Sequence, residues 1–212
     1  MKTIRYTLLS DGSSDRMLMP ILDWLLCQHC PEHAVESGWA DLGRVPQPPK
    51  TLPDKIRMTL DLYHFDLLFI HRDAEKVSFE TRLAEITRAL DGLETPPAIC
   101  VIPVRMQEAW LLFDEPAIRR AAGNPNGRNN LILPDTRSVE SIPDPKEFLF
   151  SIIRESSGLH GTRLKKLNPH KLAFLVSQSI EDFSPLRSLH AFQSLENQLI
   201  TALISNGWKS VL

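Results

Sequence analysis

Acidic residues fall where the sequence predicts β-strands to end. Asp11 follows Leu8-Leu9-Ser10, Asp73 and Glu75 follow the run Phe65-Asp66-Leu67-Leu68-Phe69-Ile70, and Glu108 lies a few residues beyond Ala98–Val104. Carboxylates are hard oxygen donors, and several from separate strand ends could converge on one sheet edge and hold Mg²⁺ or Mn²⁺. A cation so held serves phosphate chemistry, because it neutralises charge developing on a phosphoryl oxygen. Taken singly, the same residues are ordinary. Asp11 and Asp15 suit a turn and a helix cap, and Asp73-Ala74-Glu75 suits a solvated loop. Their joint placement is what favours a site.

The elements that must position these acids follow from periodicity. Thr3–Leu9 is short, apolar and β-branched, and it stops at Ser10-Asp11-Gly12, so it reads as a buried strand ending in a turn. Ser13 or Ser14 then caps a helix, with Asp15 in its first turn and Met17, Leu18, Ile21, Leu22, Leu25 and Leu26 at helical spacing up to about His29. Residues 31–53 hold Pro46, Pro48, Pro49 and Pro53 and read as an irregular excursion, with a strand-like turn around Trp39–Leu42 as the one candidate element. A helix is expected over Asp54–Leu62. The near-continuous apolar run from Phe65 then predicts a central parallel strand. Ser78 caps a helix from Phe79 to about Leu90, and Ala98–Val104 is a further buried strand. A helix carrying Ala109–Phe113, Ile118 and Ala121 follows, broken near Pro116, and Gly123–Asp144 reads as a long loop.

Strand and helix alternate, which is the pattern of an α/β fold with a mostly parallel sheet flanked by helices. Residues 1–155 are expected to form that domain, and residues 156–212 a helical C-terminal extension packed on it as one structural unit.

The 212 residues carry 24 Lys+Arg against 26 Asp+Glu, a formal net charge of -2, with 42% apolar and 24% charged residues. That balance suits a globular protein and argues against a histone-like, charge-driven nucleic-acid binder. No apolar run is long enough for a membrane span and no signal-peptide pattern is present, so a cytoplasmic protein without membrane attachment is expected. Cys27, Cys30 and Cys100 are too few for a disulfide framework and suit a reducing compartment. Basic residues nevertheless gather locally. Arg163, Lys165, Lys166, His170 and Lys171 form a run with Arg154 upstream, and Arg119, Arg120 and Arg128 border the long loop; either group suits phosphate contacts or a solvated face. No aromatic residue interleaves with them, so stacked single-strand recognition is not indicated.

Ser10-Asp11-Gly12-Ser13-Ser14-Asp15 resembles the first acidic motif of the TOPRIM fold, shared by topoisomerases, bacterial primases and overcoming-lysogenization-defect nucleases. That motif is usually Glu-Gly with an Asp a few residues on. Asp73-Ala74-Glu75 resembles the second, Asp-x-Asp. The similarity is closest to small stand-alone TOPRIM-like proteins of bacterial defence islands, through Gln107-Glu108-Ala109-Trp110-Leu111-Leu112-Phe113-Asp114 and Pro143-Asp144-Pro145-Lys146-Glu147. Asp11 stands where Glu is usual and Glu75 where the second Asp is usual. The resemblance implies a Mg²⁺- or Mn²⁺-dependent nuclease acting on DNA or RNA in phage defence, regulated by an ABC-class ATPase partner and able to assemble as a homo-oligomer. It implies Asp11 as base or ligand near the attacking water, Asp73 and Glu75 as metal ligands, Glu108 as support for a second ion, and Lys146 or Arg72 as a fixed cation beside the phosphate.

Other signals lead elsewhere. His71-Arg72-Asp73 copies the kinase catalytic tripeptide, but Ser78 stands where that motif needs Asn, and no Gly-rich loop precedes it. Cys27-Gln28-His29-Cys30 with His33 has part of a zinc set but no second knuckle, so buried structural cysteines are the plainer reading. No P-loop or dinucleotide fingerprint is present. Two alternatives remain at this level: a non-catalytic TOPRIM-fold subunit that binds a partner, and a receiver-like domain with Asp73 as phosphoacceptor, disfavoured because Asp11 has no adjacent acid.

Overall fold

A strand buried on both faces needs apolar side chains at successive positions, and Leu67–His71 has them: all five residues are buried. The computed structural model describes residues 2–209, and in it this segment is the third of four parallel strands. The strands are β1 (Lys2–Leu9), β2 (His33–Trp39), β3 (Leu67–His71) and β4 (Ala98–Val101), in the spatial order β2-β1-β3-β4. Register runs from Lys2 opposite His33 to Leu8 opposite Trp39, from Tyr6 opposite Leu67 to Leu9 opposite Ile70, and from Leu68 opposite Ala98 to His71 opposite Val101.

Helices cover both faces: α1 (Met19–His29), α2 (Leu52–Leu62), α3 (Phe79–Leu90), α4 (Glu115–Ala121), α5 (Pro145–Ser156), α6 (Gly161–Lys165), α7 (Pro169–Ser179) and α8 (His190–Ser205). Because side chains alternate along a strand, Ile4, Tyr6, Leu8 and Phe69 meet α1, α4, α5, α7 and α8 on one face. Leu9, Leu68, Ile70 and Cys100 meet α2 and α3 on the other. The first of these cores runs from Ile4 to Leu203, so α7 and α8 share it with the strands, α8 packing on β4 and α7 on α4 and α5. The molecule is thus an α/β protein with an all-parallel sheet flanked by helices and a helical C-terminal segment. Met1 and residues 210–212, the outer ends of the two expected segments, lie outside the described residues.

The connections explain where a site can form. The chain leaves β1 through α1 on one face to reach β2, and leaves β2 through α2 on the opposite face to reach β3. Since β1 lies between β2 and β3, the lateral direction reverses there. In open parallel sheets that reversal opens a crevice beyond the carboxyl ends of the two strands. Here those ends are Leu9-Ser10-Asp11 and His71-Arg72-Asp73.

The structure corrects the sequence reading at several places, among them the helix expected from a Ser13 or Ser14 cap, which starts only at Met19 after a 3-10 segment entered at Gly12, and the strand expected over Ala98–Val104, which ends at Val101. Residues 31–53 are not irregular throughout, because His33–Trp39 forms edge strand β2. Its residues are intermediate or exposed, so it lacks the apolar signature of the inner strands, and the expected turn at Trp39–Leu42 sits at its end. Pro53 does not delay α2, which begins at Leu52 under a Thr51 cap whose hydroxyl accepts the Asp54 N–H. Pro116 starts α4 rather than breaking a longer helix; Asp114 caps it and Gln107–Leu111 is a separate 3-10 segment. A further 3-10 segment, Thr136–Ser141, interrupts the expected loop.

Candidate functional site at the strand ends

Beyond β1 the chain turns at Gly12 and enters a 3-10 segment, Ser13–Leu18. The tight winding brings Asp15 back toward the strand end. Its carboxylate accepts hydrogen bonds from the Gly12 N–H (3.0 Å), the Ser14 hydroxyl (3.0 Å) and the Gln107 side-chain amide (2.7 Å), and it is buried. Asp15 is therefore part of a polar network that crosses the sheet edge, as well as a turn residue.

Asp73 lies two residues past β3. Its Oδ1 accepts the Gln107 backbone N–H at 2.9 Å and stands 3.6 Å from His71 Nε2. His71 Nδ1 is 3.0 Å from the Val101 carbonyl oxygen, which can only accept, so that nitrogen carries the proton. Burial pushes the Asp73 carboxyl up to about 6; the charges of Glu108 and Asp15 add to the rise, while His71 and the Gln107 N–H oppose it. Glu108 is buried beside Gln107, and burial, helped by Asp15, raises its carboxyl above the ordinary range against the pull of Lys146.

Gln107 therefore sits at the middle of three acids. Its backbone holds Asp73, its side chain holds Asp15, and Glu108 follows it in sequence. Its own Oε1 is buried and has no hydrogen-bond partner among the described residues. The loops delivering these groups are braced against each other: Ala74 N–H donates to Pro103 O at 3.0 Å and Glu75 N–H to Arg105 O at 2.9 Å. Glu75 and Arg105 both adopt left-handed backbone, with φ of 53° and 66°. Such strain in non-glycine residues costs on the order of 1–3 kcal/mol each and collects at functional sites.

The donor set suits a hard divalent cation in its chemistry: three carboxylates, Asp15, Asp73 and Glu108, and one orphaned amide oxygen. The carboxylates stand apart, however, and among the described residues no three His, Cys, Asp or Glu side chains are grouped to hold a metal ion.

The sequence-derived candidates divide on this geometry. Asp73 and Glu108 come together, and Lys146, half-buried at the start of α5, lies close enough to Glu108 to stabilise its charge. Asp11 does not join them. It forms ion pairs with Lys55 (2.6 Å) and Arg72 (3.2 Å), and although partial burial alone would raise its carboxyl, those cations hold it below the ordinary range. Asp15 takes the place expected for Asp11. Glu75 is exposed and makes no ion pair or hydrogen bond through its side chain among the described residues. Arg72 is spent on Asp11 and on Glu85 at 3.4 Å. Arg119 is buried, bonded through Nε to Glu115 Oε1 (2.7 Å) and through Nη1 to Asn129 Oδ1 (2.9 Å), so it braces the long loop and is not a surface phosphate contact. Arg128, Arg163, Lys165 and Lys166 are exposed. Of the zinc-like run, Cys27 and Cys30 are free thiols, and His29 is engaged by Glu196 (2.8 Å) and Lys209 (2.9 Å).

Sequence reasoning missed Gln107 and His71 as members of the site. Neither residue type announces a role by charge at neutral pH, and only their adjacency to Glu108 and Asp73 offered a signal. Compared with known proteins, the chain matches no family model, no curated protein and no solved structure, so its chemistry is read from its own residues.

Proposed function

We propose that this chain is a metal-dependent nuclease that hydrolyses phosphodiester bonds in DNA or RNA, with Asp15, Asp73 and Glu108 as its acidic set. The observation that carries the reading is that two buried carboxylates, Asp15 and Glu108, and the half-buried Asp73 come from beyond β1, β4 and β3 to the surroundings of Gln107, at the crevice where the sheet reverses direction. The charges of Glu108 and Asp15 both raise the Asp73 carboxyl, and a cation between them would relieve that repulsion. The resemblance to stand-alone TOPRIM-like defence proteins supports the same class of reaction, and it alone brings in the ABC-class ATPase partner and the homo-oligomer, while the cytoplasmic setting rests on the cysteine usage and the sequence patterns.

Asp15, Asp73 and Glu108 would hold Mg²⁺ or Mn²⁺, with Gln107 Oε1 as a further donor; the ion would polarise the phosphoryl group and neutralise charge developing on it. The chain's own residues supply the rest. Asp73, at the strand end, would serve as a ligand of that ion. The Gln107 backbone N–H, which Asp73 Oδ1 accepts at 2.9 Å, keeps that carboxylate oriented. Lys146 offers fixed positive charge beside Glu108. Asp11, tied to two cations, shapes the rim.

The test is cleavage of single- and double-stranded DNA and RNA with Mg²⁺ or Mn²⁺, by the chain alone and with a co-encoded ATPase. Asp73→Asn, Asp15→Asn and Glu108→Gln should each lower cleavage at least about a hundredfold, as expected for loss of a group acting in the transition state. Asp11→Asn should lower it far less. Equal cleavage by wild type and Asp73→Asn would sink the assignment. The separation of the carboxylates favours a second reading, a non-catalytic binding subunit of an ATPase complex. Absence of cleavage with every metal and partner selects it.

A further inference from the structure

Two cavities flank the 3-10 segment that carries Asp15 and share a wall. One, of about 520 Å³, opens at the ends of β1 and β2 and includes Trp39, Arg44 and Lys55 in its lining; the other, of about 450 Å³, includes Phe150, Lys171 and Phe174. Ser13 and Arg16 line both. Arg16 directly follows Asp15, so the residue joining the cavities belongs to the same 3-10 segment as the proposed ligand.

Arg16 is held in an unusual way for a surface cation. Its guanidinium carbon lies 5.7 Å from the Trp39 ring centre and 5.8 Å from that of Phe174. Two aromatic rings, one from β2 and one from α7, thus fix its position. Among the described residues it has no carboxylate partner and its guanidinium makes no hydrogen bond, so its donors are unspent. Lys171 likewise has no ion pair among the described residues. The other charges around the two cavities cancel: Lys55 pairs with Asp11 at 2.6 Å and Arg44 with Asp41 at 2.7 Å. What remains is uncompensated positive charge on Arg16 and Lys171, framed by the partly exposed rings of Trp39 and Phe174, while Phe150 is buried against His170.

Fixed positive charge beside flat aromatic faces is the chemistry that holds a single nucleic-acid strand, whose phosphates meet the cations and whose unpaired bases stack on the rings. A duplex hides its base faces and gains only the charge contacts. We propose that the two cavities joined across Arg16 form a track for single-stranded nucleic acid, in which Arg16 takes a phosphate next to the scissile one. The proposal rests on reading the acid cluster as a nuclease site.

The test is fluorescence anisotropy with labelled oligo-dT and oligo-U, with a duplex of the same length, and with AMP as competitor, all in EDTA so that binding is read without cleavage. The track predicts that wild type binds a single strand about tenfold more tightly than the duplex. Arg16→Ala should weaken strand binding about tenfold, within the range for lost stacking and phosphate contacts. Lys171→Ala should weaken it and lower the salt slope by about one. Arg16→Lys should keep the salt slope but lose the preference for single strands, while thermal melting of each variant checks that these exposed positions leave the fold intact. Comparison of oligo-dT with oligo-U assigns the strand as DNA or RNA. Duplex binding equal to strand binding, unaltered affinity in Arg16→Ala and Lys171→Ala, or competition by AMP as effective as by the strand would each overturn the track. Cleavage that ignores Arg16 removes the track and leaves the nuclease reading. Arg16-dependent strand binding without cleavage under any metal removes the nuclease and leaves the track as a binding surface.

Discussion

The side-chain amide of Gln107 donates to Asp15 Oδ1 at 2.7 Å across 92 residues of sequence. That one bond ties the segment after β4 to the segment after β1, and the backbone of the same residue ties in Asp73. Gln107→Leu removes the donor while leaving Asp15 buried, and a buried group stripped of its partner costs about 1–3 kcal/mol. Urea unfolding should report a loss of that size. Gln107→Glu should cost more, because it adds a fourth carboxylate to Asp15, Asp73 and Glu108, and its penalty should be larger at pH 8 than at pH 5. A Gln107→Leu protein as stable as wild type would show that the bond carries no weight.

Asp73 gives the metal-free protein a defined response to pH. Its folded carboxyl is raised to about 6, above its ordinary value of 3.8, so between those values the folded state binds more protons than the unfolded one. The associated stability is complete below the unfolded value and is lost as pH rises through 6. Asp73→Asn, which stays neutral, should therefore be more stable than wild type above pH 6, by on the order of 2 to 3 kcal/mol. The advantage should fade as pH drops toward 4. Chemical denaturation in EDTA at pH 8, 6 and 4 measures it, and equal stability at pH 8 would refute the burial argument.

Glu75 separates strain from ligation. Its φ of 53° lies in the left-handed region, where an L side chain costs roughly 1–2 kcal/mol relative to glycine's freedom, and its side chain is exposed. Glu75→Gly should therefore raise Tm by roughly 2–4 °C, the shift that about 1 kcal/mol gives a chain of this size. It should retain most metal-dependent cleavage, whereas Glu108→Gln should abolish it. Loss of cleavage in Glu75→Gly together with raised Tm would return Glu75 to the ligand set.

β1, β3 and β4 were legible because they are largely apolar and buried, and β1 and β3 end abruptly in polar residues where ligands bind. Edge strand β2 was hidden, since His33–Trp39 is only half covered and carries neither a continuous apolar run nor clean alternation. Asp73 and Glu108 could be found from position alone. The exchange of Asp11 for Asp15 could not: it depends on a 3-10 segment that folds Asp15 back toward Gly12, and on Lys55, distant in sequence, occupying Asp11. The aromatic partners of Arg16 were invisible for the same reason, because Trp39 and Phe174 come from elements far apart in sequence. Local pattern reports what a residue is, and long-range pairing decides what it is free to do.

Two groups of basic residues that look alike in sequence should behave differently. Arg119 is buried and bonded to Glu115 and Asn129, and the Asn129 side-chain amide in turn donates to the Glu155 carbonyl at 3.0 Å. Truncating it strands those acceptors, and hydrogen bonds to charged groups contribute about 1.5–3 kcal/mol. Arg119→Ala should therefore lower stability by about 2 to 3 kcal/mol and loosen the loop after α4, read as faster amide exchange there. Arg163, Lys165 and Lys166 are exposed, on α6 and just beyond it, so Arg163→Glu or Lys166→Glu should change stability by no more than about 0.5 kcal/mol. If these side chains meet phosphates, each reversal should weaken nucleic-acid binding and flatten its salt dependence by about one. Binding unchanged in the exposed variants would reduce them to a solvated face. Binding lost in Arg119→Ala at full stability would instead show that a buried arginine had been misjudged.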